Sequence, residues 1–584
     1  MSDSKPLPLQ TWARDLARRW NSEAYSVFLL SGNIFDIFAT QDEAGISYVP
    51  LKTFLCKRLF PDRKLMMFYD IGDGLTFATR SMQQKFSEWL EVYDTLEGTA
   101  YSAKGTPKDF SKLAPVLRRF FLQNDKAGAK TTLIIDFPEK IIPAAEDSGS
   151  TYDERTSLVA LLKWATSQEF RQHDVGVILV TETPSKLQSD LLQNPHVAQI
   201  KIELPDAAER LRYLGSTTYQ SLLGADLPLP GSLTPEDLAL RSSGLNIIRL
   251  QNLVAEAVRN TQPITQEYVS KGKKILIEEF CQGLVKFKDP KPGLTLDSVA
   301  THTAAKKKLR ELAWLFKNNK SDVIEKGVLL PGRVGVGKSF LVDAFAGECE
   351  LPVMEMGDFR SKWVGDTERQ QSRILMTIQA LGPVIVVVDE ADAVFGSRSG
   401  GGEDNGVSGR VFAAFAAHIG DSSLRGRELW IAMTSRPDLL TIDLKRQGRF
   451  GLCIPLFPAQ NAQDVADLFD TVTKFKNIPV SKEVAAKLQD LGNKHLTGSD
   501  ADAIITRAKE IAVLNQRDNN LQVADIDEAV SSFIDALDPD LLRLQELAAV
   551  LACSDSRYLP ENYKIANRAE LTQEFNGIKR LIYR

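Results

Sequence analysis

One short stretch limits what this chain can fold into: Gly332-Arg333-Val334-Gly335-Val336-Gly337-Lys338-Ser339. The apolar run Val328-Leu329-Leu330 precedes it, and a segment with a helical pattern begins at Phe340. Strand, glycine-rich loop and helix in this order, with the spacing G-x-x-x-x-G-K-S, are typical of a phosphate-binding loop. The alternative is a glycine-rich turn without chemistry, and the strand before it and the helix after it disfavour that reading.

The residue types of this loop have a mechanical reason. Glycine lets the backbone turn its N–H groups inward on a phosphate, and the N-terminus of the next helix adds a positive dipole end. Lys338 can then reach the β- and γ-phosphates, and Ser339 can hold Mg²⁺. We therefore expect residues Gly332 to Phe340 to bind ATP together with Mg²⁺.

Length and charge narrow the remaining choices. A chain of 584 residues is too long for one core, since domains usually hold about 100 to 200 residues. Lys and Arg number 71 against 76 for Asp and Glu, and the net charge of -5 gives no general attraction to nucleic acid or anionic membranes. A nucleic-acid partner is therefore disfavoured, and a local basic patch stays open as an alternative.

Cysteine spacing and the N-terminal sequence indicate a compartment. The five cysteines form no C-x-x-C pair, which argues against disulfides and zinc and favours a reducing cytoplasm; they are Cys56, Cys281, Cys349, Cys453 and Cys553. The N-terminus lacks the pattern of a secretion signal, and we find no run of 18 apolar residues. The five histidines also lack ligand spacing. We predict neither export nor a membrane span.

The first part of the chain predicts a parallel α/β domain with little chemistry. Apolar β-like segments at 26–31, 65–70, 131–136, 175–181 and 198–204 alternate with helical patterns. Asp136 ends one of them, but no second acid follows it, and Ser31 to Asp36 contains no Gly-Lys-Ser. We expect this domain to serve packing or docking rather than ATP hydrolysis.

Two stretches of the first half recur in the second. Residues 191–205 parallel 444–458, and 238–257 resemble 496–508, in the same order. A duplicated module, each copy an α/β domain with a helical lid, explains both sequence repeats. The predicted bounds are an α/β domain at 1–205, a lid at 206–286, a linker at 287–297, an ATPase domain at 298–458, a lid at 459–535 and a helical extension at 536–584. A Gly/Ser-rich segment, 396–409, is expected to be mobile.

A second acidic motif follows the phosphate loop. The run Val384-Ile-Val-Val-Val reads as a buried strand and ends in Asp389 and Glu390. Asp389 would bind Mg²⁺, and Glu390 would polarise the water that attacks the γ-phosphate. By itself such a strand end could be a solvated edge. Its position about fifty residues after Lys338 favours the catalytic interpretation.

These motifs together resemble the AAA ATPases, the AAA+ branch that includes katanin, spastin, the vacuolar-sorting ATPase and valosin-containing protein. The resemblance is close over 295–535 and degenerate in the first module. It implies two tandem AAA+ modules, each a three-layer parallel α/β domain with a helical lid, the first degenerate. It also implies a hexameric ring, so that a site would be completed only between subunits.

The resemblance assigns further residues. Ser435 stands where the family usually has an Asn that positions the attacking water, and a shorter hydroxyl is expected to hold it less well. Arg446 and Arg449 look like the family's arginine fingers, which stabilise transition-state charge on the neighbouring subunit's nucleotide. Gly498 and Ser499 match the start of the lid helix that senses nucleotide.

The segment Lys362-Trp363-Val364 resembles the family's pore loop. An exposed aromatic ring can grip an unfolded polypeptide without reading its sequence. The leading hypothesis is therefore a cytoplasmic ATPase ring that remodels, unfolds or disassembles an unknown protein partner. The alternatives are a regulatory scaffold switched by nucleotide with little turnover and, less favoured, a nucleic-acid motor.

Overall fold

The structure is a computed structural model in which most of the chain is described. The described residues are 7–43, 45–123, 130–144, 149–223, 231–291, 293–318, 320–357, 367–395, 414–493, 496–517, 520–533 and 538–583. They divide into two compact units, Met1–Leu276 with Glu368–Ala380 and Ile277–Thr367 with Leu381–Arg584.

The first unit is built on a six-stranded sheet in the order β5-β4-β6-β7-β1-β8. All of its pairings are parallel except that of the edge strand β5 with β4. The strands are β1 Val27–Gly32, β4 Leu65–Asp70, β5 Gly74–Phe77, β6 Thr131–Asp136, β7 Val175–Thr181 and β8 Val197–Ile202; β2 Ile37–Asp42 and β3 Gly45–Pro50 form a separate hairpin. Every residue of β1, β6 and β7 is buried, as expected for strands covered on both faces.

Helices cover both faces of this sheet. They are Thr11–Asn21, Leu51–Phe54, Arg80–Glu97, Tyr101–Lys104, Phe110–Gln123, Tyr152–Thr166, Gln168–Gln172 and Ser189–Leu192. Aromatic side chains fill the core between helices and sheet, with Phe120 and Trp164 on one face and Trp12 and Phe28 on the other. All five predicted strands of this domain are confirmed.

A helical domain follows within 206–286, the stretch that the sequence analysis assigns to the first lid. Its helices are Ala207–Leu214, Thr217–Leu223, Pro235–Arg241, Ile247–Arg259 and Gln266–Phe280. A core of its own, with Tyr213, Leu250 and Val254, holds these helices together. Asn246 caps the helix Ile247–Arg259 by accepting the Arg249 N–H, which fixes where that helix begins.

The second unit repeats the architecture of the first sheet. Its order is β9-β11-β12-β13-β10-β14, again with one antiparallel edge strand, β9. The strands are β9 Val285–Lys288, β10 Gly327–Pro331, β11 Val353–Met356, β12 Val384–Val388, β13 Glu428–Thr434 and β14 Leu452–Cys453. Phe287 and Lys288, which the sequence assigns to the linker, belong to β9 and pair with β11.

The helices of the second sheet are Thr303–Lys317, Lys338–Cys349, Ala391–Phe395, 414–420 and Ile442–Lys445. The helix Thr367–Leu381 falls mostly in the first unit. The lid helices are Ala462–Phe475, Lys482–Gln489, Gly498–Leu514 and Val523–Ser531. The predicted helical extension contains Pro539–Ala552, Glu561–Lys564 and Arg568–Ile582. Within the described part of the chain, no helix is both long and apolar enough to cross a bilayer.

Candidate nucleotide site

The predicted phosphate loop lies between the buried strand β10 and the helix Lys338–Cys349. Gly335 and Gly337 have φ of 86° and 88°, a conformation that residues with a Cβ rarely adopt. Gly332 has a different constraint, because a Cβ there would lie 2.7 Å from the Leu456 carbonyl oxygen. The glycines thus permit both the shape of the loop and its close approach to the neighbouring segment.

The ammonium group of Lys338 is held over this loop. It donates to the carbonyl oxygens of Gly332 at 2.8 Å and Arg333 at 3.1 Å. Burial lowers the pKa of Lys338, and the charges of Asp389 and Asp392 oppose that effect. A phosphate would offer this cation stronger, charge-assisted hydrogen bonds than two carbonyls do.

Asp389 and Glu390 directly follow β12, and both side chains are exposed. Glu390 has a φ of 46°, which is uncommon for a residue other than glycine. The Asp389 carboxylate stabilises this turn by accepting the Glu390 N–H at 2.8 Å. Successive side chains leave a strand end in different directions, so one of these acids can face a metal and the other a water.

The end of the neighbouring strand β13 is tied to the same acidic turn. Thr434 donates its hydroxyl to Asp392 at 2.5 Å and accepts the Arg436 N–H at 2.8 Å. Ser435, half-buried, lies between these two anchored positions. The sequence interpretation missed Asp392, although its place two residues after Glu390 is a usable signal.

The lid touches the phosphate loop at the start of the helix Gly498–Leu514. Ser499 donates both its N–H, at 3.2 Å, and its hydroxyl, at 3.3 Å, to the Gly335 carbonyl oxygen. Thr497 and Asp500 form a capping box that begins this helix. The structure therefore brings Gly498 and Ser499 to the loop, and their role in sensing nucleotide stays a prediction of the resemblance.

A histidine also supports the loop. The Nε2 atom of His302 lies 2.8 Å from the Val336 carbonyl oxygen, and burial lowers the pKa of this imidazole. His302 has a φ of 65° and precedes the helix Thr303–Lys317. The sequence interpretation treated it as an ordinary residue, because nothing in its spacing signals a contact 34 residues away.

Arg446 and Arg449 share one carboxylate. Arg446 Nε lies 3.1 Å from Asp443 Oδ1, and Arg449 forms a short ion pair with Oδ2 of the same residue. The Arg446 side chain is 62% exposed but that of Arg449 only 13%, so the two cations differ in their access to another molecule. Asp443 was not predicted.

The remaining predicted residues are placed in part. Val334 is half exposed, and the ring of Phe340 lies 5.3 Å from that of Phe475 on the lid. The segment Lys362-Trp363-Val364 and the Gly/Ser-rich stretch 396–409 lie outside the described residues.

The residues at the loop fit a magnesium ion that arrives with a nucleotide. No group of three or more His, Cys, Asp or Glu side chains among the described residues could hold a metal alone. The Ser339 hydroxyl and the Asp389 carboxylate are exposed oxygen ligands, the type Mg²⁺ prefers. Phosphate oxygens and water would supply the other ligands. An arrangement of this kind, on adjacent strands of a parallel sheet, defines a P-loop nucleotide-binding module.

Comparison with known proteins names the family. The model for "ATPase family associated with various cellular activities (AAA)" matches residues 328–456. The models for "AAA+ chaperone, N-terminal Rossmann-like domain" and "AAA+ chaperone, second helical domain" match residues 4–203 and 208–282. The chain belongs to the AAA family and carries two AAA-like modules.

Two relatives show how similar the chain is to known proteins. "Protein SAV" of Sulfolobus acidocaldarius is 25% identical over 475 residues, which cover 77% of this chain and 59% of the relative. "Peroxisomal ATPase PEX6" of Cricetulus griseus is 25% identical over 430 residues, covering 68% of this chain and 42% of the relative. The chain thus matches only about half the length of these relatives.

Proposed function

We propose that this protein hydrolyses ATP in its second module, in a ring of identical subunits, and uses turnover to remodel, unfold or disassemble a protein partner. One observation carries the proposal. The adjacent strands β12, β13 and β10 end beside one another, which brings Asp389 and Glu390, Ser435 and Lys338 to one edge of the sheet. Family membership supports the ATPase chemistry; the ring and the partner rest on the resemblance and on Arg446 and Trp363.

The proposed mechanism divides the work among these residues. Backbone N–H groups of the loop and Lys338 hold the β- and γ-phosphates, and Ser339 and Asp389 hold Mg²⁺. When bound, Mg²⁺ neutralises developing negative charge on the phosphate oxygens. Glu390 accepts hydrogen bonds from the attacking water and orients it, with Ser435 as a second contact. Arg446 of a neighbouring copy stabilises the charge on the transferred phosphoryl group.

ATP turnover measured against protein concentration tests this proposal, with the oligomeric state of the same samples followed by mass photometry. Turnover should rise steeply with concentration as rings form, and Glu390→Gln should bind ATP and form rings but hydrolyse ATP about 100-fold more slowly or worse. A wild-type chain that binds ATP but stays monomeric at every concentration would contradict the shared site.

The second candidate is a scaffold whose assembly state follows nucleotide binding with little turnover. The half-buried Ser435, with a hydroxyl where the family usually has an amide, favours it. Rings that form with ATP yet turn over nothing would support the scaffold. In either case we propose the cytoplasm as the compartment, since the five cysteines are free thiols.

A further inference from the structure

The C-terminal helices of the chain pack on the second α/β domain rather than extending away from it. Leu544 and Leu547 of the helix Pro539–Ala552 and Phe575 of the helix Arg568–Ile582 enclose Phe457, which follows β14. Ser554 extends this contact, because its hydroxyl accepts the Cys453 N–H of β14 at 2.9 Å. The two helices are therefore held against β14, the edge strand that pairs with β10, and β10 leads into the phosphate loop.

One side chain of this segment contacts the phosphate loop itself. Gln545 is only 5% exposed, and its Oε1 atom accepts the Val334 N–H at 3.2 Å. Val334 lies inside the loop, two residues after Gly332. A buried amide side chain is expensive to leave unpaired, so this hydrogen bond ties the position of the loop to the position of the helix.

The last helical turn contacts a second part of the site. Arg436, directly after Ser435, donates to both oxygens of Asp438 at 2.9 Å and to the hydroxyl of Tyr583. Lys579 donates to Asp438 at 3.0 Å. Burial alone would raise the pKa of Asp438, but the hydrogen bonds from Arg436 and Lys579 outweigh burial and lower it.

These contacts continue to the acidic turn. The N–H of Arg436 donates to the Thr434 hydroxyl, which in turn donates to Asp392. Asp392 lies two residues after Glu390, the proposed water-orienting residue. A continuous set of hydrogen bonds thus leads from Tyr583 to the turn on which hydrolysis would depend.

We propose that the helices Pro539–Ala552 and Arg568–Ile582 form a clamp on the nucleotide site, in which Gln545 positions the phosphate loop and Tyr583 and Lys579 position the loop that carries Ser435. These three are positioning residues, since none reaches the reacting atoms. The inference rests on the proposed ATPase activity and adds to it a regulatory element: any event that lifts the C-terminal helices would slow hydrolysis.

The two contacts should act on different steps. Gln545 supports the part of the site that binds phosphate, so its loss should weaken nucleotide binding. Tyr583 and Lys579 support the loop that orients water, so their loss should lower kcat while ATP still binds. A purely structural role would instead lower kcat and the affinity for nucleotide together, through loss of folded protein.

The test uses the full chain and two readouts, kcat at saturating ATP and the Kd of a fluorescent ATP analogue. Tyr583→Phe removes only the hydroxyl and should lower kcat about tenfold, with Kd within twofold of wild type. Gln545→Leu removes the acceptor and should raise Kd about tenfold.

Tyr563→Phe is the matched control. Its hydroxyl accepts from Arg543 at 2.6 Å and donates to Glu546, and all three residues belong to the C-terminal segment. It should leave kcat and Kd unchanged. If Tyr583→Phe keeps wild-type kcat, or if Tyr563→Phe lowers kcat equally, the clamp is overturned.

Failure of the proposed function looks different from failure of the clamp. A wild-type chain that binds the analogue but hydrolyses no ATP contradicts the ATPase proposal. Gln545→Leu then decides the clamp through Kd alone: a raised Kd, with a wild-type Kd in the control Tyr563→Phe, supports it, and an unchanged Kd overturns it.

Discussion

The two sheets of this protein share one spatial order, but the loops that follow their central strands differ in charge. Strand β1 lies between β7 and β8, as β10 lies between β13 and β14. After β10 comes a glycine-rich loop with a cation, Lys338. After β1 comes a short loop that ends in a buried carboxylate, Asp36, which is 3% exposed.

Asp36 makes contacts that an anion would make at this place. Its oxygens accept the N–H groups of Ile247 at 3.1 Å and Ile248 at 2.9 Å, and the Asn33 side chain at 2.8 Å. Ile247 and Ile248 begin the helix Ile247–Arg259, whose N-terminus favours negative charge. In the second module the corresponding lid helix, Gly498–Leu514, touches the phosphate loop through Ser499.

The turns that follow β6 in the first module and β12 in the second also correspond. Phe137 and Glu390 each follow a strand aspartate and share a positive φ, 51° and 46°. Thr181 donates to Glu139 at 2.8 Å, as Thr434 donates to Asp392 at 2.5 Å. The first module therefore has this backbone turn with a phenylalanine in place of the acid that would orient water.

The aspartate of the first module also has a cation of its own. Lys52 forms a short ion pair with Asp136, the counterpart of Asp389. Burial raises the pKa of Asp136, and Lys52 opposes this effect. An AAA-like scaffold can thus balance its charges with its own side chains, Asp36 and Lys52, where the second module has groups suited to phosphate and Mg²⁺.

The largest difference in kcat between matched substitutions in the two modules should appear at Arg446 and its counterpart. In the repeat, Gln193 stands at the position of Arg446. We expect Arg446→Ala to lower kcat about 1000-fold, because an arginine finger stabilises transition-state charge, and Gln193→Ala to leave kcat unchanged. Steady-state ATP hydrolysis measures both, and equal kcat in the two variants would contradict the assignment of Arg446.

Substitutions of the acids at the ends of β12 and β6 should differ nearly as much in their effect on kcat. Glu390→Gln should lower kcat about 100-fold or more, because the amide cannot accept a proton from water. Asp136→Asn, in the first module, should change kcat by less than twofold. Turnover of the two purified variants at saturating ATP tests this, and a large loss in Asp136→Asn would mean that the first module takes part in hydrolysis.

Removal of the Asp36 carboxylate should destabilise the start of the helix Ile247–Arg259 in the first lid. Asp36→Ala leaves two backbone N–H groups and Asn33 without their acceptor and should cost about 2 kcal/mol of local stability. Hydrogen exchange at the amides of Ile247 and Ile248 should speed up accordingly. Glu43→Ala, an exposed acid of the same domain, should leave these amides protected. Unchanged exchange in Asp36→Ala would show that the carboxylate does not hold the lid.

The smallest effect, on the free energy of unfolding, is expected for Lys52. Lys52 is 44% exposed, so solvent screens its pair with Asp136, and Lys52→Met should cost only about 0.5 kcal/mol at pH 8. Because the folded pKa of Asp136 is raised above its usual value, this cost is largest above that pKa and disappears as acid protonates the group. Urea unfolding at pH 8 and pH 5 measures the difference; a cost that grows on acidification would contradict it.

Periodicity predicted the repeated parts of this fold and motif spacing predicted the second site. The buried strands of the first domain and the lid after each sheet follow from local patterns, whereas the place of Ser499 rests on the family resemblance. The contacts missed were long-range, such as His302 with Val336 and Asp36 with Ile247. A sequence pattern reports which residues face a core, but not which polar groups meet when distant segments pack.

The roles of single charged residues were equally hidden. Nothing near Asp443 indicates that it holds both Arg446 and Arg449, because an acid three residues from an arginine is common on any surface. The sequence showed that no second acid follows Asp136. It did not show that Phe137, at that position, has the same positive φ as Glu390.

Strand β9 decides where this chain can be divided for study. Val285–Lys288 pairs with β11 and closes one margin of the second sheet. A fragment that starts at residue 298, the predicted domain start, would lack this strand and present β11 as an open, hydrogen-bonding ribbon. Such a fragment would tend to join its neighbours edge to edge, and soluble expression of the ATPase module calls for a start upstream of Val285.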